Sequence, residues 1–592
     1  MKLSSALPGL AAGIVVLLGN GPSAANAANA ADAAFDRRFA GTFLEEYWKL
    51  WPDQAILAGY YKVADDLVVP DAQARARRQH FLETWLARVR AAKADALDPA
   101  HRTDRLILIQ QLEGRLWQLT TYRDWQWDPS IYNVAEPFAL LLNTAYAPVE
   151  ERLRHVLRRL AGVPAYYAAA RASIENPTPE HTALAIDQNK GTLEVFGRDL
   201  EEQIARANLS PPERALFRAR IDAARKAVQH YIDSLLMLDP AHRGTARSFR
   251  IGEALYEQKF RHQIANGGAA RDLYERAVAE KEAVLGRMDV LAGQLWPKYF
   301  PNVAPPADRS TRIRTLIDKL SEQHIPRDRM FETVKAQIPM LEDFVTRHNL
   351  LTLDPSKPLE VRITPTYKLS IASASLDAPG PYDPGARTYY NVTPLDTLSP
   401  AQAESTLREY NNWMLPILSI HEAVPGHYVQ LSYANRSPSL IKSVFANDAM
   451  VEGWAVYGER MMMEAGFGDD TAEQWLIYSK WNLRSVVNTI LDYAVHTQNM
   501  SEADAMRLLT QEAFQADQEA REKWHRVQVT SVQLTSYFAG YSAIYDLRER
   551  LKRERPQSFD LRKFHEQFLS YGSAPVGLIA DLMESGGTSH LR

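Results

Sequence analysis

The chain has 592 residues, enough for several domains or for one large enzyme with two lobes. Its 46% hydrophobic and 24% charged residues are typical of a soluble globular protein. The formal net charge of −4, without a long tract of one sign, gives no indication of a nucleic acid or an anionic membrane as partner.

The N-terminus has the pattern of a secretory signal peptide. Lys2 supplies a positive charge, Leu10–Leu18 form a short apolar core, and Ala-x-Ala cleavage sites end at Ala27 or Ala30. A membrane span needs about 20 apolar residues, so this run is too short to be one. We therefore expect residues 1–30 to be removed and the mature protein to be periplasmic or secreted, without a membrane anchor.

The sequence contains no cysteine. Disulfides, thiol catalysis and sulfur ligands for a metal are therefore excluded, and so is a lipid anchor on cysteine. Any metal has to be held by His, Asp or Glu side chains.

Two helical regions are predicted on either side of a Pro-rich connector. Between about Phe35 and Leu295 apolar residues recur at spacings of three and four, which predicts an N-terminal helical lobe over residues 31–300. The connector is Tyr299–Ser310. Residues 301–592 are predicted to form a second, catalytic lobe.

The C-terminal half also contains a short region with the pattern of β-structure. Leu359–Leu369 and Ala386–Leu395 carry alternating and β-branched residues, which predicts two strands of a small antiparallel sheet over about residues 359–395. From Pro400 onward the pattern is helical again. The predicted class is mostly α, with one small antiparallel β element.

Ser419–Tyr428 reads SIHEAVPGHY and places two histidines six residues apart. On a regular helix this spacing separates two side chains by about 9 Å and about 240°, too far to share one metal. Pro425 and Gly426 are residues that break a helix. His421 and His427 are therefore a ligand pair only if the backbone between them leaves the α-helix. An ordinary loop with two histidines is the alternative.

A second motif, AMVEGWAVYGE, supplies acids on one helical face. Glu452 and Glu459 are seven residues apart, and the residues around them are apolar. Buried carboxylates usually have a partner, whereas a solvated acidic face is the alternative. A catalytic zinc commonly has two His ligands and one Glu. We assign Glu452 as the third ligand of one Zn²⁺ per chain, Glu459 as the residue that orients a histidine, and Glu422 as the base.

HEAVPGHYVQ followed by VEGWAVYGE resembles the family known as domain of unknown function 885. That family is grouped with Glu-zincin metallopeptidases, alongside helical two-lobed oligopeptidases. Further similar stretches are Leu491–Met506, Leu534–Arg550 and Phe559–Ile579, so the likeness extends over about residues 35 to 590.

The resemblance implies a large two-lobed helical metallopeptidase-like fold and a peptide substrate. It also implies the metal ligands His421, His427 and Glu452, with Glu422 as general base. In the stretch LDYAVHTQNMSEADAM, Asp492 and His496 match a characteristic Asp–His pair of the family. We assign these two residues to the layer that supports the metal ligands.

Other candidate residues would contact the substrate. Tyr537 matches the family's Ser-Tyr position and is assigned as oxyanion donor, although a packing face of tyrosines is the alternative. His565 is the second candidate for this catalytic role. The strand around Tyr389 and Tyr390 could pair with an extended peptide, or it could be an edge strand without a ligand.

The function indicated by these residues is an exported zinc metallopeptidase that hydrolyses short peptides. A metal-dependent amidase or esterase with a small non-peptide substrate would use the same residues. A non-catalytic periplasmic binding protein with a degenerate site is the third hypothesis. Retention of the base Glu422 favours an enzyme, because a binding protein has no need of it.

Overall fold

The computed structural model describes residues 24–238, 246–356, 358–364, 374–383, 385–396 and 398–584. Most of these residues are helical, which confirms the predicted class. Most of the predicted signal peptide, residues 1–23, lies outside the described residues. None of the helices that the structure describes is both long enough and apolar enough to cross a membrane.

The helices fall into two series on either side of the β-region. The α-helices before it are α1 Ala24–Phe35, α2 Leu44–Leu50, α3 Pro52–Leu57, α4 Ala72–Ala91, α5 Pro99–Trp117, α6 Asp124–Trp127, α7 Ala135–Asn143, α8 Val149–Leu160, α9 Val163–Ser173, α10 Pro179–Val195, α11 Arg198–Arg206, α12 Pro211–Leu238, α13 Glu253–Gln263, α14 Ala270–Tyr299, α15 Arg309–Ser321 and α16 Met330–Arg347. The α-helices after it are α17 Pro400–Glu409, α18 Met414–Glu422, α19 His427–Ala434, α20 Leu440–Val444, α21 Asp448–Glu464, α22 Ala472–Thr497, α23 Glu502–Arg507, α24 Asp517–Val529, α25 Ser536–Glu554, α26 Leu561–Ser570 and α27 Val576–Glu584.

Shorter helical segments join or extend these elements. The π-helical segments are Asp36–Phe43, Gln118–Tyr122 and Leu508–Glu512. The 3₁₀ turns are Tyr61–Val63, Ala94–Ala96, Pro129–Ile131, Arg327–Arg329 and Gln533–Thr535.

The described strands form a mixed sheet: β1 Leu359–Ile363, β2 Ala374–Asp377 and β3 Thr388–Val392. The two predicted strands are present as β1 and β3, but their predicted antiparallel pairing is wrong. β3 is the central strand, parallel to β1 and antiparallel to β2. The prediction treated β1 and β3 as consecutive strands, whereas β2 lies between them in the chain. Residues 365–369 of the predicted first strand lie outside the described residues.

The largest apolar core joins the two ends of the chain. It contains Trp48 and Trp85 from α2 and α4 together with Trp454 and Phe568 from α21 and α26. A second core surrounds α14 and α22, and a third lies within residues 56–238. The helices around the histidine motif are therefore deeply buried. The predicted division into two lobes near residue 300 stays a prediction.

Helices α21 and α25 cross at two facing glycines. A Cβ atom on Gly453 would overlap the backbone of Gly540, and one on Gly540 would overlap the carbonyl oxygen of Ala449. Only glycine permits this approach, because every other residue has a Cβ atom, which would overlap the facing backbone. The crossing brings the helix of Glu452 against the helix of Tyr537.

We expect Gly540→Ala to lower the free energy of unfolding by about 1–3 kcal/mol, because the added methyl has no space at the crossing. Gly293→Ala on α14 is the matched control, since its Cβ would meet nothing within 4 Å. The control should be neutral or stabilising by up to about 1 kcal/mol. Urea unfolding midpoints followed by circular dichroism measure both variants. Equal midpoints for the two would contradict the proposed close approach.

Candidate metal centre

The backbone leaves the α-helix between the two histidines, as the sequence predicted. Helix α18 ends at Glu422 and α19 begins at His427. Ala423 has φ −116° and ψ −89°, and Gly426 has φ −72° and ψ −130°, both outside the helical region. The Val424–Pro425 peptide between them is cis. The chain therefore turns sharply, and His427 restarts a helix beside the end of the first one.

Gly426 makes this turn sterically possible. Its N–H donates to the Ile420 carbonyl at 3.0 Å, and a Cβ here would overlap the carbonyl oxygens of Ile420 and His421. The indole Nε1 of Trp454 donates to the Pro425 carbonyl at 2.8 Å and fixes the turn on α21. The break is therefore held on both sides, by its own backbone and by the helix that carries Glu452.

The turn brings three potential ligands together. The Nε2 atoms of His421 and His427 lie 3.7 and 3.6 Å from Oε2 of Glu452, and the two rings are nearly perpendicular at 87°. The ligand atoms of the three residues all lie within 4.8 Å of one another. A tetrahedral zinc with bonds near 2.1 Å separates its ligands by about 3.4 Å. The observed spacing is close to the one that a shared zinc requires.

Oε2 of Glu452 is buried and has no hydrogen-bond partner among the described residues. A buried carboxylate oxygen without a partner is costly, and its two nearest polar neighbours are imidazole nitrogens that suit a metal. The donor set of two imidazoles and one carboxylate therefore fits a zinc ion.

Glu459 orients His421. Its Oε1 accepts a hydrogen bond from His421 Nδ1 at 2.7 Å and another from the indole of Trp481 at 2.9 Å, and its side chain has no exposed area. Because Nδ1 is occupied by Glu459, Nε2 of His421 is directed at Glu452. A carboxylate behind a ligand histidine is the usual support of a metal site, and this contact agrees with the predicted role of Glu459.

Three carboxyl groups, Glu422, Glu452 and Glu459, interact electrostatically with the two imidazoles. Burial disfavours the charged form of His421, but its contacts with Glu452 and Glu459 prevail and raise its pKa to about 10. Burial likewise opposes ionisation of Glu452, yet the two histidines lower its pKa. Desolvation raises the pKa of Glu422. Three carboxylates around two imidazoles provide a strong preference for a cation.

Glu422 on α18 and Tyr537 on α25 both interact electrostatically with this cluster. The half-buried Glu422 carboxylate makes no hydrogen bond with any residue that the structure describes, and it is electrostatically coupled to both histidines. Burial and the charge of Glu452 raise the pKa of Tyr537 to about 12. The Tyr537 phenol is therefore protonated at neutral pH and can donate a hydrogen bond.

The structure does not bring His565 to the cluster. Its ring is fully buried, with Nε2 at 2.8 Å from the Tyr457 hydroxyl and Nδ1 at 2.8 Å from the Leu350 carbonyl. Both nitrogens are thus engaged in fixing α26 against its neighbours, and burial lowers the pKa of His565 to about 4. This position contradicts the predicted catalytic contact and indicates a packing role.

Asp492 and His496 support the turn before α25 rather than a metal ligand. Asp492 accepts hydrogen bonds from the N–H groups of Val532 and Leu534 at 2.9 and 3.0 Å. Nε2 of His496 lies 2.9 and 2.8 Å from two carbonyl oxygens just before that turn. The pair therefore positions the helix that carries Tyr537, which differs from the predicted support of the ligands.

The predicted peptide contacts of β3 are wrong. Both edges of β3 are paired, because it is the central strand, so no further strand can be added to it. Tyr390 is fully buried, with its hydroxyl 3.5 Å from Oγ of Ser419 on α18. Tyr389 lies under the guanidinium of Arg362 at 3.8 Å from the ring centre. Tyr390 therefore packs beneath the histidine helix.

Two tryptophans of the site were missed as functional residues. The indole N–H of Trp454 donates a hydrogen bond to the turn between the histidines, and that of Trp481 donates one to Glu459. A tryptophan in an apolar helix needs a hydrogen-bond acceptor for its buried indole N–H, and the sequence shows this need. It does not show which residue is the acceptor, because the acceptors lie 29 and 22 residues away along the chain.

Comparison with known proteins gives structural relatives without a described activity. A protein of Shewanella oneidensis described as a "putative lipoprotein of unknown function" is 48% identical, with a TM-score of 0.83 over 95% of this chain and 100% of that one. A "putative lipoprotein" from Colwellia psychrerythraea is 17% identical, with a TM-score of 0.75 over 93% and 99%, and shares the fold. No curated protein matches. The family model "Bacterial protein of unknown function (DUF885)" matches residues 52–583, and the chain belongs to that family.

Proposed function

We propose that this chain is an exported zinc-dependent metallopeptidase that hydrolyses short peptides. The observation that carries the proposal is the buried, unpartnered Glu452 oxygen at 3.6–3.7 Å from two imidazole nitrogens. Export is supported by the predicted signal peptide and by the description of the relatives as lipoproteins.

His421, His427 and Glu452 would hold the metal through Nε2, Nε2 and Oε2. A zinc ion supplies Lewis-acid activation of water and of the scissile carbonyl. The surrounding protein has to hold the three ligand atoms close together. The hydrogen bond with Glu459 would orient His421 for this, and the turn at Gly426 would position His427.

Glu422 would take the proton of the attacking water and return it to the leaving amine. It follows a ligand histidine directly in the chain and is free of competing hydrogen bonds among the described residues, and desolvation makes it a better base than an exposed carboxylate. Tyr537 would donate its hydrogen to the oxygen that becomes negative in the transition state. The two groups come from α18 and α25.

We expect the purified protein to bind about one zinc per chain, measured by elemental analysis after zinc loading and desalting. His421→Ala and Glu452→Gln should remove most of this zinc, because each deletes one of three ligands. Asp448→Asn, one turn before Glu452 on the same helix, is the control and should keep it. Stoichiometric zinc in both ligand variants, with native circular dichroism, would refute the site.

We expect Glu422→Gln to keep the zinc and to lower peptide hydrolysis by roughly 10²–10⁴-fold, because the amide cannot accept the proton. Digestion of a peptide library read by mass spectrometry measures the loss and the cleavage position. Glu502→Gln makes the same change at an exposed carboxylate on α23, is the matched control, and should leave hydrolysis unchanged. If the zinc-loaded parent protein cleaves no peptide but cleaves simple amides or esters, the amidase hypothesis replaces this one.

We expect Tyr537→Phe to lower kcat by roughly 100-fold with little change in KM, because the donor acts mainly in the transition state. Tyr541→Phe makes the same change one turn along α25 and should leave kcat within a few-fold. Steady-state kinetics on one cleaved peptide compare the two. An equal effect of both substitutions would show that the tyrosines only pack.

A further inference from the structure

A cavity of about 320 Å³ lies among the N-terminal helices, away from the metal cluster. Its wall contains three arginines, Arg75 and Arg78 of α4 and Arg115 of α5. The remaining wall is a mixture of polar, aliphatic and aromatic residues, and its aromatic members are Trp51, Trp125, Tyr132 and Tyr166. A concave site that combines apolar rings with a few convergent charges is the usual form of a small-ligand site.

Each of the three arginines lies within cation–π distance of a tryptophan ring. The Arg75 guanidinium lies 4.0 Å from the ring centre of Trp125. Those of Arg78 and Arg115 lie 5.2 and 5.7 Å from Trp51. These cation–π contacts restrain the guanidinium groups without neutralising their charge, which favours an anion as the ligand.

None of the three guanidinium groups forms an ion pair with a carboxylate of a described residue. Arg78 donates through Nε and Nη2 to the Leu50 carbonyl at 3.1 and 2.8 Å, and Arg75 donates to a carbonyl and a hydroxyl at 2.9 and 3.0 Å. Arg115 donates to the Gln54 amide oxygen at 3.1 Å, and its Nε is buried without a partner. Three partly buried guanidinium groups without a carboxylate partner thus line one cavity.

The acids in the cavity wall do not balance this charge. Asp53 pairs with Arg159, a fully buried arginine outside the cavity. Asp124 accepts a hydrogen bond from Gln118 at 2.5 Å, and burial raises its pKa to about 6. Even with Asp124 ionised, three guanidinium groups face one carboxylate. The cavity therefore keeps a net positive charge near neutral pH.

A second cavity, of about 400 Å³, adjoins the arginine cavity and extends to the start of α21, the helix that carries Glu452. It shares Gln54, Arg115 and Asp124 with the arginine cavity, so the two adjoin. Its wall also includes Asp448, which is one helical turn before Glu452 on α21, about 6 Å along the axis. The two cavities together therefore extend from the arginines to Asp448, one helical turn from Glu452.

We propose that the pocket of Arg75, Arg78 and Arg115 binds the C-terminal carboxylate of a peptide whose scissile bond lies at the metal cluster. Guanidinium groups bind carboxylates through paired N–H donors, which fits three convergent arginines. The aromatic residues of the wall would contact the last side chain of the peptide. The proposal rests on the proposed peptidase function and adds that the substrate is recognised by its free C-terminus.

The test measures binding rather than cleavage. Zinc-loaded Glu422→Gln protein is dialysed against two pools of random hexapeptides, identical except that one ends in a carboxylate and the other in an amide. Retained peptide is quantified by mass spectrometry. We expect at least about tenfold stronger retention of the carboxylate pool, because a charge-assisted pair is lost in the amide.

Arg75→Gln and Arg115→Lys should each reduce this preference several-fold or more. The first removes a charge, and the second keeps the charge but loses the planar fork of donors. Arg90→Gln is the matched control: Arg90 also lies on α4, but it is exposed and pairs with Glu113. It changes the net charge as Arg75→Gln does and should leave the preference unchanged. Circular dichroism checks that each variant is folded.

Two outcomes would overturn the proposal. One is equal retention of the two pools, and the other is a carboxylate preference that survives both arginine substitutions. Inorganic phosphate is titrated in parallel by calorimetry. Phosphate binding that requires Arg75, combined with equal retention of the two pools, would assign the pocket to a free anion instead. Failure of the peptidase function itself would appear separately, as a parent protein that cleaves no peptide while the binding preference remains measurable.

Discussion

The hydrogen bond from the Gly426 N–H to the Ile420 carbonyl is the constraint on which the site depends. It closes a turn so tight that no side chain fits at Gly426. The turn ends one helix after Glu422 and starts the next at His427. Without it, six residues of helix would place the second imidazole about 9 Å from the first along the axis. The two histidines are therefore brought together by the turn and not by the regular spacing of one helix.

A second close approach places the remaining groups around that turn. Where α21 and α25 cross, Gly453 and Gly540 let the backbones touch, so the helix of Glu452 lies between the histidine turn and the helix of Tyr537. The Trp454 indole then bonds α21 to the turn at Pro425. The functional groups come from four helices, α18, α19, α21 and α25, and backbone contacts hold these helices close together. This gives a rigid frame of the kind that preorganised catalysis requires.

The sequence predicted what depends on local pattern. The mostly helical class follows from three- and four-residue spacing, and the break between His421 and His427 follows from a Pro-Gly pair within six residues. The pairing of β1 with β3 and the surroundings of His565 were not predictable in this way. His421 and His565 both lie in helices, and what distinguishes them is a distant partner: Glu459 for His421 and Tyr457 for His565. Local pattern does not specify such contacts.

The two unbalanced charge clusters support one interpretation of the fold. Around His421 and His427 three carboxyl groups outnumber the two imidazoles, whereas the pocket of Arg75, Arg78 and Arg115 is positive. Burying uncompensated charge opposes folding, so neither cluster is explained by stability. Stability alone would favour placing the acids and the arginines next to each other. Their separation is what the proposed peptide would require, with a cation at its reacting bond and guanidinium groups at its negative end.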